Sequence, residues 1–524
     1  MGFLRETLIL SLAGILVRLL GAGYRIILPR LIGAEGIGIY QMALPVYTLL
    51  LVIAVPGLPL ALSKLIAEEG VSREGGEVEL LFYGALTILF LLGIMVTAGL
   101  WLMAPLIAGR ILGDARSLYP LMVTAPSLFF VFIMAAFRGY FQGQKDMLPT
   151  ALSLVIEQMV RLVTILVILL LLSGYPLEYM AGGAALGNFT GALAGFMVLF
   201  VLYLRQEDRP GHSLGLKRLP VIIFSGLRLL RVSVPISVGS LIMPLMALVD
   251  AVIVPHRLRF AGNTLQEATA LYGQLSGMAM AVFFFPTVIS GAMAISLLPV
   301  ISEARVAGDY LLLQQRSRQA LRLIILVMLP ATLGMMVLAE EICALLFGYP
   351  AAGIPLFYLS LGLTLFSLQD VCASILQGLD LIMVPAINLL VGAVLNAGLN
   401  YYLTPRLGIR GAALATAAGF IIAGILNLRS LSRQLELGIK PVQHLFIPLI
   451  SALGMGALVH SFYQLAIPSE FIIFNRGPVT LMAILIGIVS YPLLLFLGGG
   501  MKSSDLESLP YIGPLLAGWL NYLP

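Results

Sequence analysis

Long apolar runs, each about as long as a membrane-spanning helix, cover most of the chain. A spanning helix needs about 20 mostly apolar residues. By this measure the pattern predicts fourteen spans, at residues 7–31, 37–63, 80–106, 118–141, 150–173, 180–204, 227–254, 267–300, 312–339, 353–376, 383–404, 410–431, 443–466 and 478–499. The fold class is therefore an all-α polytopic membrane protein. The longest of these runs, 267–300, is predicted to form one tilted helix.

Short matches between the two halves of the chain indicate an internal repeat. Three pairs of segments match in the same order, at offsets of 232, 235 and 228 residues: 38–40 with 270–272, 140–143 with 375–378, and 183–186 with 411–414. The matches predict a six-helix unit that is duplicated in parallel and followed by two extra helices. The predicted domains are an N-terminal lobe (1–205), a cytosolic linker (206–226), a C-terminal lobe (227–435), and two extra helices with an interfacial tail (436–524).

Composition and charge support a membrane protein and set its orientation. Of the 524 residues, 60% are hydrophobic and 10% are charged, with a mean hydropathy of +1.04. Ordinary soluble domains have about 25% charged residues, so a soluble enzyme with an anchor is excluded. With the N-terminus inside, nineteen of the thirty Lys and Arg residues lie on the inner side and nine on the outer side. Because cytoplasmic loops are enriched in Lys and Arg, both termini are predicted to be cytoplasmic.

The sequence contains no pattern typical of an enzyme, a metal site or a cofactor site. The two cysteines and four histidines are scattered without metal-ligand spacing, and no P-loop or nucleophile elbow occurs. We therefore predict a protein that is not an enzyme and binds no metal or cofactor. The net charge of +5 is modest and needs no nucleic-acid partner. The opening segment has no short apolar core with a cleavage site, so no signal peptide is predicted.

Two arginines inside the first predicted span are the strongest functional signal. An ionised side chain near the bilayer centre costs about 2.5–3.5 kcal/mol even on the lenient insertion scale, so such a charge faces water, a partner or a ligand. Arg18 and Arg25 are seven residues apart and share one helix face with Gly14 and Gly21. This face is predicted to be cationic and poorly filled, which suggests an anion-binding cavity. Arg25, nearer the outer end, could instead extend to the headgroups.

Other membrane-embedded polar residues leave two interpretations open. Glu157 and Arg161 are four residues apart in span 5, and they form either an internal ion pair or part of the same cavity, with Glu157 as a coupling group. Asp250 could pair with Arg25 or Arg257 or bind a cation, and Asp370 is similarly ambiguous. Asn388, Asn396 and Asn400 form a stripe that either faces a cavity or bonds between helices.

The N-terminal segment resembles a known family of exporters. Residues 17–41, with VRLLG, YRI and LIGAEGIGIYQ, resemble the N-terminus of polysaccharide-export proteins of the stage V sporulation protein B type, and residues 140–151 resemble the same family's connection between helices 4 and 5. These proteins belong to the multidrug/oligosaccharidyl-lipid/polysaccharide exporter superfamily, which includes the lipid II flippases. The resemblance implies two six-helix lobes in a V around a central cavity, with helices 1, 2, 7 and 8 lining it.

The same resemblance implies a function and a set of partners. It implies movement of an undecaprenyl-pyrophosphate-linked glycan from the inner to the outer leaflet of a bacterial cytoplasmic membrane. Because a guanidinium group matches phosphate oxygens, we predict Arg18, Arg25 and Arg161 as the residues that bind this substrate. The lipid II flippases have a further arginine in their second helix, whereas residues 41–63 of this chain contain no Lys or Arg. The identity of the glycan is therefore left open. The alternative is a cation-coupled multidrug antiporter of the same fold. A scaffold for cell-wall synthesis enzymes is a third candidate, and the protein is predicted to be a monomer.

Overall fold

The computed structural model describes residues 2–54, 57–69, 77–206, 224–227, 229, 239–436, 445–466 and 477–500. Within these ranges the regular structure is helical, and no β-strand occurs. Most of the predicted linker and the whole of the predicted interfacial tail beyond residue 500 lie outside the described residues. The chain divides into two compact units, Met1–Gly277 and Met278–Pro524.

The first unit contains eight α-helices of eight or more residues among its described residues. They are α1 (Gly2–Ala54), α2 (Gly57–Glu69), α3 (Glu77–Leu106), α4 (Leu118–Gly143), α5 (Leu148–Leu171), α6 (Leu177–Arg205), α7 (Ile242–Phe260) and α8 (Leu265–Tyr272). A π-helical segment, Ile107–Leu112, extends α3, and a second one, Gly273–Ala279, follows α8.

The second unit contains nine further α-helices in its described part. They are α9 (Met280–Val306), α10 (Tyr310–Val337), α11 (Ala339–Phe347), α12 (Gly353–Ser360), α13 (Leu363–Gly378), α14 (Met383–Leu407), α15 (Ile409–Gln434), α16 (Ile447–Ala466) and α17 (Gly477–Leu497). Helices α16 and α17 pack together and against α10 around Met455, Tyr463 and Tyr491.

The predicted membrane-protein fold is confirmed. Eleven helical runs in the described residues are long and apolar enough to span a membrane, or twelve with one bent pair. The first of them, Leu12–Ala67, is 56 residues long, about twice what one crossing needs, and it holds predicted spans 1 and 2. Residues 242–254 of predicted span 7 lie in α7, which is not among these runs, and residues 230–238 of that span lie outside the described residues. Predicted span 10 is the bent pair, and each remaining predicted span falls on a run of its own. The run Leu265–Val306 confirms one long helical segment at predicted span 8.

Two breaks in these helices lie at glycines. Helix α1 is kinked at Gly33, whose φ of 70° is easily adopted only by glycine, and this break separates predicted spans 1 and 2. Predicted span 10 is bent by 52° between Ser360 and Leu363. At this bend Gly362 packs against the backbone of Ala417, so close that an added Cβ would lie 3.0 Å from its Cα.

Close packing of α5 against α6 fixes the helix that carries Glu157 and Arg161. Four glycines on one face of α6, each four residues from the next, allow the two backbones to approach: Gly183, Gly187, Gly191 and Gly195. A Cβ on Gly191 would lie 2.7 Å from the backbone oxygen of Glu157. The neighbouring core of this unit is aromatic, with Phe82 against Phe137 and Tyr140 at centroid distances of 5.5 and 4.6 Å.

Candidate functional site

Helix α1 carries Arg18 and Arg25 on an exposed and unfilled surface. Both arginines are exposed, and a Cβ added to Gly14 or Gly21 would meet no atom within 4 Å. Arg18 makes no hydrogen bond or ion pair within the described part of the chain. A charge at this depth with no protein partner is costly in lipid, so this surface suits contact with water or an anion.

Tyr24 connects Arg25 with Arg161. The Tyr24 hydroxyl interacts electrostatically with the guanidinium groups of both arginines, although they lie on α1 and α5. The structure thus brings Arg25 and Arg161, two of the three predicted substrate-binding residues, to one region of the first unit. Arg18 lies about two helical turns from Arg25 along α1.

Glu157 is shared between two arginines. Its Oε1 accepts a hydrogen bond of 2.8 Å from Nη2 of Arg161, and its Oε2 accepts one of 2.9 Å from Nη2 of Arg138. Ser153 accepts two more bonds from Arg138, at 2.8 and 3.2 Å. The three charged side chains are only 11–14% exposed. The ion pair between Glu157 and Arg161 is therefore present, and Arg138 extends it.

Arg138 is a residue that sequence reasoning missed. The charge count assigns it to the inner side of the membrane, although it falls within predicted span 4. Its position inside a span was the available signal, because a charge there needs a partner. Its partner could not be identified, since the pairing depends on the register between α4 and α5.

The acidic candidates have different environments. Asp250 is 8% exposed on α7 and interacts electrostatically with Tyr272 on α8. Asp370, on α13 in the second unit, accepts a hydrogen bond of 3.2 Å from Ser290 and has no ion pair among the described residues. Asp250 thus has an aromatic neighbour in the first unit, whereas the hydrogen-bond partner of Asp370 in the described part of the second unit is a hydroxyl group.

The asparagine stripe in α14 is fully buried at Asn396 and Asn400 and partly buried at Asn388. Asn400 donates to Asn396 at 2.9 Å and accepts from Thr404 at 3.2 Å, and all three are 0% exposed. Asn388 donates to Asn427 of α15 at 2.7 Å. Of the two interpretations given for the stripe, hydrogen bonding within and between helices is the one that the structure supports.

A polar clamp in the first unit joins α1, the segment before α4, and α8. We call Glu35, Asp114, Arg116 and Thr269 the outer clamp, because the charge count places this end outside. Arg116 donates to Glu35 and to Asp114, and Thr269 donates to Asp114 at 3.0 Å. Burial alone would raise the pKa of the Asp114 carboxyl, but hydrogen bonds and the charge from Arg116, with the Thr269 bond, hold this pKa below its usual value.

An apolar groove lies in the second unit between α10, α16 and α17. Its volume is about 570 Å³, and its walls are almost entirely aliphatic, including Leu326, Pro330, Val459 and Ile488. Such a shape is produced by three helices that are distant in sequence, so the hydropathy pattern could not predict it. The groove suits a flexible hydrocarbon chain.

The fold and these sites define a class of protein. Two helical membrane units, a helix that presents Arg18 and Arg25 on an open surface, and an apolar groove are features of a polytopic membrane transporter for an amphiphilic or anionic molecule. The comparisons with known proteins agree with this class.

The chain belongs to the polysaccharide biosynthesis protein family, whose model matches residues 3–305. It is 31% identical over 518 residues to the stage V sporulation protein B of Bacillus subtilis (strain 168), covering 98% of this chain and 99% of that protein. It is 28% identical over 447 residues to the lipid II flippase MurJ of the same organism, covering 80% of each chain. The sequence resemblance to the exporter family is thus confirmed.

Solved structures share the fold. A structure of the lipid II flippase MurJ in an inward closed conformation matches with a TM-score of 0.69 at 16% identity, covering 94% of this chain and 98% of that one. An inward-facing multidrug transporter of the MATE family matches with a TM-score of 0.65 at 17% identity, covering 79% and 94%. At these identities the structural likeness establishes the fold alone.

Proposed function

We propose that this protein is a flippase that moves a polyprenyl-pyrophosphate-linked glycan from the inner to the outer leaflet of a bacterial cytoplasmic membrane by alternating access. The observation that carries this proposal is the exposed, unfilled surface of α1 with Arg18 and Arg25. A guanidinium group matches phosphate oxygens with two parallel hydrogen bonds. The relative that is named as a lipid II flippase supports the same substrate class.

The residues of the site take different roles in this proposal. Arg18 and Arg25 bind the pyrophosphate and compensate for its loss of water, because an unpaired charge is expensive to desolvate. Arg161 donates a hydrogen bond to Glu157, and its charge acts on the same Tyr24 hydroxyl as the charge of Arg25. Arg161 therefore adds positive electrostatic potential to the binding site. The glycan is lipid II or a polysaccharide precursor.

The apolar groove of the second unit supports a lipid substrate over a soluble one. We assign it to the polyprenyl tail, because an apolar groove of about 570 Å³ can shelter part of a long hydrocarbon chain. A soluble sugar phosphate would leave this surface without a role.

The driving force follows from the charge of the substrate. A negative interior favours outward movement of an anion, by about 2.3 kcal/mol per charge per 100 mV.

Release to the outer leaflet requires the outer end to open, so the outer clamp must break in each transport cycle. Glu157 and Asp250 are the proposed groups for pairing or ion coupling.

The remaining features of the proposal concern topology and partners. Both termini face the cytoplasm, the repeats 1–205 and 227–435 act as the two lobes, and residues 436–524 add two helices. The protein acts as a monomer in the bilayer and hands its substrate to cell-wall synthesis enzymes.

A second candidate function is a cation-coupled multidrug antiporter, which one observation favours. Asp370 is a half-buried carboxylate whose described partner is the Ser290 hydroxyl. Such a carboxylate can exchange a proton or sodium ion. If Asp370→Asn abolished efflux of cationic dyes from cells while dye efflux was strong in wild type, the antiporter would be favoured.

Native mass spectrometry of the purified protein tests the proposed function. We expect wild type to retain a pyrophosphoryl lipid, and Arg18→Ala to lose it. Arg30→Ala removes the same charge from the same helix and serves as the matched control, which should retain the lipid. Retention of lipid by Arg18→Ala, or a cationic amphiphile in place of a pyrophosphoryl lipid, would contradict the proposal.

A further inference from the structure

A cavity of about 310 Å³ lies in the second unit, at the ends of three predicted spans. Its walls come from the end of α10, the short helices α11 and α12, and the start of α15. They fall at residues 339, 353 and 410, the limits of predicted spans 9, 10 and 12. The charge count makes this the outer end, so the cavity lies at the level of the outer headgroups.

The cavity carries charges of both signs. Glu340 and Glu341 line it from α11, and Arg410 lines it from α15. Glu340 and Arg410 make no hydrogen bond or ion pair within the described part of the chain. The carboxylates suit the first turn of α11, but Arg410 lies in the first turn of α15, where the helix dipole disfavours a cation. Arg410 is therefore well placed to bind an anionic group, and Glu340 a cationic one.

Close packing of three helices holds these charges around the cavity. A Cβ on Gly353 would lie 2.4 Å from Cα of Glu340, so α12 begins directly against α11. Helix α12 also packs against α15. It contributes Phe357, which is 39% exposed, and Tyr358 to the lining, and α10 contributes Met336. The cavity thus has an apolar side beside its charged side.

The first unit has the same connection without these charges. Two glycines that are 235 residues apart, an offset of the repeat, follow a helical segment in each unit with φ of 74° and 76°: Gly113 and Gly348. At this offset Glu340 corresponds to Pro105, and at the offset of 228 residues Arg410 corresponds to Gly182. The connection therefore folds without charges at these positions, which indicates that Glu340 and Arg410 have a role beyond packing.

We propose that this cavity binds the headgroup of a zwitterionic phospholipid with a primary ammonium group, phosphatidylethanolamine, in the outer leaflet. Arg410 donates to the phosphate oxygens, and Glu340 accepts from the ammonium group. The acyl chains continue along Met336 and Phe357. A volume of about 310 Å³ is small for a ligand pocket, so it suits this headgroup better than a lipid-linked glycan. The proposal goes beyond the proposed function and does not rest on it.

Lipid binding to the delipidated full-length protein, measured by native mass spectrometry, tests this site. The probes are phosphatidylethanolamine, phosphatidylcholine with the same acyl chains, and glycerophosphoethanolamine, which is the soluble headgroup. Phosphatidylcholine keeps the phosphate but has no N–H donor. We expect wild type to bind phosphatidylethanolamine at least about tenfold more tightly than phosphatidylcholine, the difference expected for one charge-assisted hydrogen bond. The soluble headgroup should bind at least about tenfold more weakly than the lipid, because it has no acyl chains to bury.

Two variants separate the two ends of the headgroup. Arg410→Gln should weaken binding of both lipids about tenfold, because both contain the phosphate. Glu340→Gln should weaken binding of phosphatidylethanolamine alone and so remove its preference over phosphatidylcholine. Both residues are exposed, so thermal unfolding should stay as in wild type. The matched controls are Arg406→Gln, an exposed arginine before the same turn, and Glu178→Gln, in the first turn of α6, and both should bind the two lipids as wild type does.

Specific results would overturn this proposal. They are equal affinities of wild type for the two lipids, unchanged binding in both Arg410→Gln and Glu340→Gln, or an equal loss in Arg406→Gln. Equal affinities for phosphatidylethanolamine and its soluble headgroup would assign the cavity to a soluble zwitterion and contradict the lipid assignment. No lipid-linked glycan enters these measurements, so failure here is distinguishable from failure of the proposed function.

Discussion

The hydroxyl of Thr269 donates a hydrogen bond of 3.0 Å to Oδ2 of Asp114, which ties the first turns of α8 to the segment before α4. Asp114 is 1% exposed, and Arg116 connects it to Glu35 on α1. The outer clamp thus joins three segments that are far apart in sequence. Its opening is a required step in the transport cycle that we propose.

Breaking this hydrogen bond should favour the state that is open to the outside. We expect Thr269→Val to increase labelling of Ser276→Cys by a membrane-impermeant maleimide from outside, by up to about tenfold, the equilibrium shift for one hydrogen bond of about 1–1.5 kcal/mol. The native cysteines, Cys343 and Cys372, are buried and should give little background. Thr269→Ser keeps the hydroxyl and should label as the parent does. Equal labelling in Thr269→Val and Thr269→Ser would argue against a clamp.

The clamp should also make stability depend on pH. A carboxyl whose pKa is lowered in the folded state stabilises the protein above its unfolded pKa of about 3.9, and this contribution is lost as pH falls through the lower folded value. We expect Asp114→Asn to cost about 1–3 kcal/mol at neutral pH, and the difference from wild type to shrink only below about pH 4. Thermal unfolding of both proteins, from neutral pH to below about pH 4, measures this difference in stability. Asp380→Asn, in an exposed ion pair with Arg305, is the control with little effect.

Substitution by alanine should change the stability of the protein in opposite directions at two glycines of α1. A Cβ on Gly38 would lie 2.0 Å from the carbonyl oxygen of Thr269, so Gly38→Ala should destabilise the protein by about 1–3 kcal/mol or more. A Cβ on Gly21 would meet nothing within 4 Å, so Gly21→Ala should be neutral or stabilising by up to about 1 kcal/mol. Thermal unfolding in one detergent checks both. Equal losses would contradict the packing described for α1 and α8.

Filling the apolar groove should impair transport of long-chain lipids selectively. Gly334 lines the groove, and only Met455 lies as near as 4.0 Å to its added Cβ, so Gly334→Leu occupies the space without a backbone clash. We expect slower flipping of a long polyprenyl substrate and little change for a short-chain analogue, both measured in proteoliposomes. Gly398→Leu, on open helix surface, is the matched control. An equal reduction in flipping rate for both chain lengths would contradict a role of the groove in binding the polyprenyl tail.

Much of this architecture follows from local sequence, whereas the contacts between distant segments do not. Apolar runs set the helices, a spacing of seven places Arg18 and Arg25 on one face, and a spacing of four pairs Glu157 with Arg161. Arg138 was missed because its pairing depends on how α4 and α5 are aligned. The contact between Asp114 and Thr269 was missed because it depends on how α8 packs against the segment before α4.

The bend in predicted span 10 has a related cause. Gly362 packs closely against Ala417 at this bend, and a hydropathy profile contains no information on such a contact. Local periodicity therefore predicts helices and the faces of single helices. Cavities, clamps and bends arise from contacts between helices, which are determined by the whole fold.

The central claim is that Arg18 and Arg25 bind the pyrophosphate of a lipid-linked glycan during its movement across the membrane. The most direct measurement is the flipping rate of a labelled lipid-linked glycan in proteoliposomes, at substrate levels below saturation. Each of Arg18→Ala and Arg25→Ala should slow it about ten- to a hundredfold, the loss expected for a charge-assisted contact of about 1.5–3 kcal/mol, while Arg30→Ala should not. Wild-type rates in both variants, with normal folding, would contradict the claim.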